Sequence, residues 1–165
     1  MTNKENEVLA LLKNNARYTI TEIAQMANIT ESQVKTIVKK LEDDRIIVKY
    51  TTIVNEKKLT KDDQKVRALI ELAIRPQMRT GFDKIAARIA KFKQVVGHYL
   101  ISGSYDFLII VEGKNLEEIS SFVSEKLASI NHVEKTATHF IMKKYKENGV
   151  VIDDQAVIKR LAISA

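Results

Sequence analysis

The chain has no cysteine, a single proline and only five glycines in 165 residues, and each shortage removes a class of function. Without thiols there are no disulfides, no thiolate chemistry and no cysteine-built structural zinc site. Five glycines leave little material for a phosphate-cradling loop, and no phosphate-binding glycine loop, dinucleotide fingerprint or serine-nucleophile motif is present. Long apolar runs are missing too. The five residues Phe107-Leu108-Ile109-Ile110-Val111 make a run as long as any in the chain, against roughly 20 for a membrane-spanning helix. The first seven residues, Met1-Thr2-Asn3-Lys4-Glu5-Asn6-Glu7, are polar and acidic, unlike the basic and then apolar start of a secretion signal. Together these features point to a soluble, cytoplasmic protein of one ordinary domain or two small ones.

Catalytic and metal-binding signals are equally sparse. His98, His132 and His139 show no ligand spacing, although His98 and His139 would meet if their strands were neighbours. No metal, cofactor or catalytic residue is expected. Charge is more informative. The net charge is +6, from 27 Lys+Arg and 21 Asp+Glu, with a pI near 9.4, which suits a nucleic-acid partner. Residues 1–55 nonetheless carry 8 basic and 7 acidic side chains. If this half binds DNA, its positive charge must be concentrated on one element.

The first half reads as three helices and then short strands. Val8, Leu11 and Leu12 recur at helical spacing. Thr19-Ile20-Thr21-Glu22 has the capping-box pattern and starts a short helix over residues 21–27. Asn28 tolerates the left-handed conformation that ends a helix, and Thr30 with Gln33 forms a second capping box only two residues later. Two helices joined so tightly are the mark of a helix-turn-helix. The third helix, residues 31–43, buries Val34, Ile37, Val38 and Leu41. Its other face carries Ser32, Gln33, Lys35, Thr36, Lys39 and Lys40. With Thr30 at its start, it offers small polar groups for base edges and lysines for phosphates. Ile46-Ile47-Val48 begins a strand, and a hairpin over residues 46–54 would form a wing with Lys49 near the DNA backbone. This predicts a winged helix-turn-helix over residues 1–54. Residues 55–65 are charged and aperiodic, a linker.

From Val66 the rhythm becomes that of strands. Val66, Ala68, Ile70, Leu72 and Ile74 alternate, and Pro76 ends the run. A helix over residues 80–92 turns Phe82, Ile85, Ala86 and Ile89 inward. Strands follow at 95–102 and 106–112, joined by the turn Gly103-Ser104-Tyr105-Asp106, in which glycine supplies a positive φ and aspartate favours the bend. Asn115 and Glu118 cap a helix with an inner stripe of Leu116, Ile119, Phe122, Val123 and Leu127, and a last strand spans 133–145. The order β-α-β-β-α-β is ferredoxin-like, over residues 66–147. The fold class is therefore α+β. Both helices of that arrangement cover one side of the sheet, yet residues 107–111 are apolar on both faces. A second copy of the same sheet is the simplest cover, which predicts a homodimer. The tail over residues 148–165 contains Val157, Ile158, Leu161 and Ile163 and is too apolar for simple disorder.

Three stretches carry a resemblance to a known family. Asn14-Asn15-Ala16-Arg17-Tyr18-Thr19-Ile20-Thr21-Glu22-Ile23-Ala24 and Val34-Lys35-Thr36-Ile37-Val38-Lys39-Lys40-Leu41-Glu42 resemble the helix-turn-helix of the leucine-responsive/asparagine-regulator (Lrp/AsnC) family. Gly103-Ser104-Tyr105-Asp106 resembles that family's glycine-x-tyrosine-aspartate turn. The resemblance implies a transcriptional regulator that binds double-stranded DNA as a dimer, with assembly to tetramers, octamers or larger rings. It also implies a C-terminal module that senses an amino acid or related metabolite between neighbouring dimers. The effector residues it implies are Gly103, Ser104, Tyr105 and Asp106, with Thr136 and Thr138 on the last strand; Asp106 would pair with an amino group. Two departures stand out: Asn28 replaces the usual turn glycine, and Asp44-Arg45 stands where glycine commonly follows the recognition helix. Two other readings share this layout. An architectural DNA-compacting protein without an effector would bind strongly, with high salt sensitivity and low specificity. A sirohaem-decarboxylase-like enzyme would need histidines and arginines around a large pocket, and no such cluster is evident.

Overall fold

A computed structural model describes residues 1–75 and 82–152 of the chain, which divides into two compact units, Met1–Thr52 and Ile53–Ala165. The first unit is built from α1 (Asn3–Asn14), α2 (Ile20–Ala27) and α3 (Glu31–Asp43). Each helix opens on a threonine whose hydroxyl accepts the backbone N–H three residues on: Glu5 for Thr2, Glu22 for Thr19, Gln33 for Thr30. In each case the third residue's side chain accepts the threonine's own N–H, so both orphan donors are satisfied. The boxes at Thr19 and Thr30 are those read from the sequence; the same pattern at Thr2 was not. Asn28 ends α2 at φ 49°, ψ 55°, in the left-handed region, and its N–H donates to the carbonyls of Ala24 and Gln25. Thr21 Oγ1 donates to Glu31 Oε1 at 2.7 Å, fastening the start of α2 to the start of α3. Val8, Leu12, Ile23, Ala24, Ala27 and Val34 form the core, with Ile37, Val38 and Ile47 packed against it.

The chain leaves α3 through Arg45, which takes a left-handed φ of 55°. This is the place where the resemblance expects glycine. The Arg45 N–H donates to the Glu42 carbonyl and the Ile47 N–H to that of Leu41, both at 2.9 Å. The expected wing does not form as β structure, since residues 46–54 contain no strand. Ile47 turns into the core, while Val48 is 72% exposed. No glycine, asparagine or aspartate lies within 46–54 to make a two-residue hairpin turn, and an isolated two-stranded hairpin is marginal in water.

The second unit runs β1 (Val66–Ile74), α4 (Asp83–Ile89), β2 (Val95–Leu100), β3 (Phe107–Gly113), α5 (Leu116–Phe122) and β4 (Val133–Phe140). The strands pair antiparallel in the order β2-β3-β1-β4, the predicted βαββαβ arrangement. Ala68, Ile70, Leu72 and Ile74 of β1 and Phe107, Ile109 and Val111 of β3 share one face and pack with Ile85, Ile89, Ile119, Phe122, Leu127 and Ile130. Phe82 meets Phe107 edge-on at 5.6 Å, and Phe92 meets Phe122 at 5.3 Å. Asn115 caps α5 by accepting the Glu118 N–H at 2.8 Å. Leu116 departs from the expected inner stripe and is 55% exposed. Beyond Phe122 the helix widens into a π turn, Val123–Leu127, closed by the Ala128 N–H on the Val123 carbonyl, and this delivers Leu127 to the core.

The last strand ends at Phe140, five residues before the expected Tyr145. Its partner β1 begins at Val66, and after the Ile141 N–H donates to the Arg67 carbonyl no strand remains to pair with. The chain then folds into a small hairpin, β5 (Lys146–Glu147) with β6 (Val150–Val151). Asn148 and Gly149 at its tip both have positive φ, 45° and 86°, the two-residue turn that Asn-Gly favours. The expected linker is structured as well. Glu56–Lys58 is a turn of 3₁₀ helix, and the Asn55 side-chain amide donates to the Ile152 carbonyl at 2.9 Å. Pro76, the helix start at Thr80 and the apolar tail residues Val157, Ile158, Leu161 and Ile163 lie outside the described residues.

The two left-handed turns give a stability test. Arg45→Gly is expected to raise the unfolding midpoint by up to about 2–4 °C, because the side chain is strained at that φ. Gly149→Ala, at φ 86°, is expected to lower it by a similar amount. Thermal melts of the full chain check both.

Candidate functional site

On α3, Ser32, Lys35, Thr36 and Lys39 are exposed and lie along one stripe, because residues three and four apart stack on a helix surface. Thr36 Oγ1 donates back to the Ser32 carbonyl at 3.0 Å. Thr30 and Gln33 are tied into the cap: Gln33 Oε1 accepts the Thr30 N–H at 2.9 Å, and the Thr30 hydroxyl accepts the Gln33 N–H at 3.2 Å. This leaves the amide nitrogen of Gln33 as its outward-facing donor group. Among the described residues, Lys35, Lys39 and Lys49 have no ion-pair partner. A shallow depression of about 300 Å³ flanks the stripe, lined by Lys4, Ile29, Ser32, Gln33, Thr36 and Ile37.

Lys40 differs from the other lysines of α3. Its ammonium donates to Glu5 Oε1 at 2.7 Å, and Glu5, on α1, is 6% exposed. The other carboxylate oxygen accepts the Thr2 N–H, also at 2.7 Å. The hydrogen bonds from Lys40 and from the Thr2 backbone hold Glu5 below the usual carboxylate range, and Glu5 in turn raises Lys40. The lysine grouped by sequence with the phosphate-binding ones is thus tied to the neighbouring helix. Nothing in the local pattern signals this, since the two partners are 35 residues apart.

The turn Gly103-Ser104-Tyr105-Asp106 joins β2 to β3, with Gly103 at φ 140°. The Asp106 N–H donates to the Leu72 carbonyl at 2.9 Å, the Ile101 N–H donates to the Asp106 carbonyl at 2.8 Å, and Asp106 Oδ2 accepts the Ile74 N–H at 2.7 Å. The carboxylate therefore completes the ladder where β1 ends. Lys135 of β4 lies over the Tyr105 ring, 5.7 Å from its centroid. Thr136 and Thr138 pair in register with Leu72 and Ile70, so they sit on the helix-covered side of the sheet. Lys135 is opposite Ala73 and alternates to the other side. Lys135 is thus the β4 residue gathered beside the turn, and the alternation of β4 carries the only sequence signal for it.

His98 and His139 do not meet. They lie on strands at opposite edges of the sheet, and their register puts them on opposite faces. His98 packs edge-on against Phe107 at 4.7 Å, its Nε2 is buried without a hydrogen-bond partner, and desolvation lowers its pKa. His139 Nε2 is 3.4 Å from Glu71 Oε2. No group of three acidic, histidine or cysteine side chains fit to hold a metal occurs among the described residues. Among those residues no helix is long and apolar enough to cross a membrane.

The face of the sheet away from the helices carries Leu69, Leu108 and Ile110, with Tyr99 exposed beside them. A charged network borders it. Arg67 pairs with Glu112 and, at 3.1 Å, with Glu147 of the small hairpin; Lys144 reaches Glu147 at 3.3 Å and Glu56 at 3.4 Å.

A capped helix-turn-helix with an exposed lysine stripe, followed by a βαββαβ module, defines an effector-responsive DNA-binding transcriptional regulator. The family model of the Lrp/AsnC ligand binding domain matches residues 67–151, and that of a winged helix-turn-helix DNA-binding domain matches residues 1–48. The chain belongs to the Lrp/AsnC family. It is 38% identical to the uncharacterized HTH-type transcriptional regulator YugG of Bacillus subtilis, over 99% of this chain and 98% of that one. It is 25% identical to the HTH-type transcriptional regulator FL11 of Pyrococcus furiosus, over 87% of this chain and 90% of the relative. The regulator NMB0573 of Neisseria meningitidis, solved as a complex with L-Met, shares the fold with a TM-score of 0.71 at 22% identity, over 89% of this chain and 93% of its own.

Two outcomes test the geometry of α3. Lys35→Ala and Lys39→Ala should each weaken DNA binding and lower the slope of log affinity against log salt by about 1, measured by titration at several salt concentrations. Glu5 has a depressed pKa, so its stabilising effect is present above its ordinary value of 4.5 and is lost as pH falls through the lower folded value. Glu5→Gln keeps the cap and removes the charge, so melting midpoints of the variant should fall less steeply with acid than those of the wild type.

Proposed function

We propose that the protein binds double-stranded DNA as a homodimer through Ser32, Gln33, Lys35, Thr36 and Lys39, with Lys49 on the adjoining backbone and Thr30 holding the helix start. An amino acid bound beside the 103–106 turn then alters that binding. The observation that carries the DNA reading is the unpaired lysine stripe on a helix entered through the left-handed Asn28. Within this reading residues 1–54 are the DNA-binding part, 55–65 the connection, 66–147 the sensing and assembly part and 148–165 an extension. The protein acts in the cytoplasm and catalyses no reaction.

A second copy covers the open sheet face, with Leu69, Leu108 and Ile110 at its centre, and dimers associate further into tetramers or octamers. The support for this is the apolar β3 strand, which the helices cover on one side only. For the effector, support comes from Tyr105 and Asp106 in one turn with Lys135 beside them, and from the L-Met bound to the Neisseria regulator. Gly103 and Ser104 shape the turn. Thr136 and Thr138, on the helix-covered side, are the weaker members of the set.

Native mass spectrometry across an amino-acid panel, paired with DNA titration, tests the reading. One amino acid should bind and change either the assembly or the DNA affinity; an architectural protein would respond to none. Asp106 also accepts a backbone N–H, so Asp106→Asn, which keeps an acceptor and removes the charge, should abolish the response and leave basal DNA binding in place. If the response persists in that variant, the turn is not the effector site. Leu108→Arg should convert the dimer to monomer in sedimentation velocity.

A further inference from the structure

The helix that carries the DNA stripe is also the one held by the most buried charged side chain among the described residues. Glu5 has both carboxylate oxygens engaged, one by the Thr2 backbone and one by Lys40. Lys40, four residues on from Thr36, lies at the margin of the stripe on the side of α1, and its ammonium reaches across to Glu5 rather than outward. Withdrawing its ammonium to a phosphate would leave the Glu5 carboxylate buried with only the Thr2 N–H, and an uncompensated buried charge is strongly unfavourable. A DNA phosphate therefore has to compete with a partner already in place.

We infer that Lys40 is a positioning residue: through Glu5 it fixes the roll of α3 on α1, and so aims Ser32, Lys35 and Lys39, without itself neutralising a phosphate. This rests on the reading of α3 as the DNA-contacting helix. The groups facing Glu5 are the Lys40 ammonium, the Thr2 N–H and the chain's amino terminus; those facing Lys40 are Glu5 and Asp44. Both sets favour the pair as it stands. The capping box at Thr2 thus has a second role, since the same glutamate that closes α1 anchors the recognition helix. Sequence specificity depends on the angle at which side chains meet base edges, whereas non-specific affinity depends on the number of phosphates neutralised. A positioning lysine and a phosphate-binding lysine therefore differ in what they change.

The test uses the full chain and two duplexes of equal length, one selected by the wild-type protein from a random-sequence pool and one unselected. Titrations are run at several salt concentrations, well below every variant's melting midpoint. Lys39→Gln should weaken both duplexes and lower the salt slope by about 1. Lys40→Gln should weaken the selected duplex by about fivefold while leaving the unselected duplex and the salt slope unchanged, and Lys40→Arg should restore the selected affinity. The double variant Glu5→Gln/Lys40→Gln replaces the ion pair by a neutral amide pair with no stranded charge, so it serves even if Lys40→Gln alone fails to fold. It should bind the selected duplex more tightly than Lys40→Gln does, or close to wild type where Lys40→Gln cannot be measured, with the wild-type salt slope. The inference is overturned if Lys40→Gln or the double variant lowers the salt slope as Lys39→Gln does, or if Lys40→Gln leaves both affinities unaltered. A different failure, in which Lys35→Gln and Lys39→Gln change neither duplex, would remove α3 from the DNA interface altogether.

Discussion

A strand whose side chains alternate cannot bury five consecutive apolar residues under a single layer of helices, and β3 contains such a run at residues 107–111. Phe107, Ile109 and Val111 are covered by α4 and α5, which leaves Leu108 and Ile110 on the side without helices. The rest of the organisation follows from that imbalance. A βαββαβ unit places both helices on one face, so its other face needs a partner, and a copy of itself is self-complementary by symmetry. Closing the sheet in this way, as proposed, would also place two DNA-binding units on one particle, as a reader of two half-sites requires. In the proposed dimer, the same constraint that stabilises the sensing half would set the valency of the DNA-binding half.

The turn between β2 and β3 ties the candidate effector residues to this framework. Asp106 accepts the Ile74 N–H and so closes the end of β1, the strand that runs through the centre of the sheet. A ligand that draws on the Asp106 charge would act on a group that already closes the end of a central strand. Tyr105, with Lys135 over its ring, extends the same junction to β4. A small change at the turn therefore meets all four strands of the sheet at once, which suits a ligand that biases one packing arrangement over another.

The features that could be read from the sequence are local ones. Thr19 with Glu22, Asn28, Thr30 with Gln33, and Asn115 with Glu118 are short-range pairs or single residues, and the structure places each as a cap or turn of the kind expected. The alternation of β1 is similarly local and sets its core face. What escaped the sequence depends on distant partners. Glu5 meets Lys40 across 35 positions and Asp106 meets Ile74 across 32, so neither pair has a periodic signature. Thr136 and Thr138 illustrate a second limit: a period-2 strand exposes its faces through register, and a shift of one residue exchanges them. Only pairing with Leu72 and Ile70 decides the matter. The expected wing failed for want of turn residues. By contrast, Asn148-Gly149 is a strong hairpin signal that the charged residues around it obscured.

The allocation of charge bears on how the proposed assembly would govern DNA binding. Residues 1–55 are nearly neutral, with 8 basic and 7 acidic side chains, and Lys40 is balanced by Glu5. The stripe on α3 is left with Lys35 and Lys39, and few phosphates can be neutralised by so few ammonium groups. A single subunit is then a weak reader on electrostatic grounds. Two subunits joined through the sheet, as proposed, would convert the second contact into an intramolecular one, whose strength depends on how well their spacing matches the duplex. A more basic helix would bind regardless of that spacing and could not be regulated by it. In the proposed dimer, a modest stripe would make affinity a function of dimer geometry, and a ligand beside the 103–106 turn would act on that geometry.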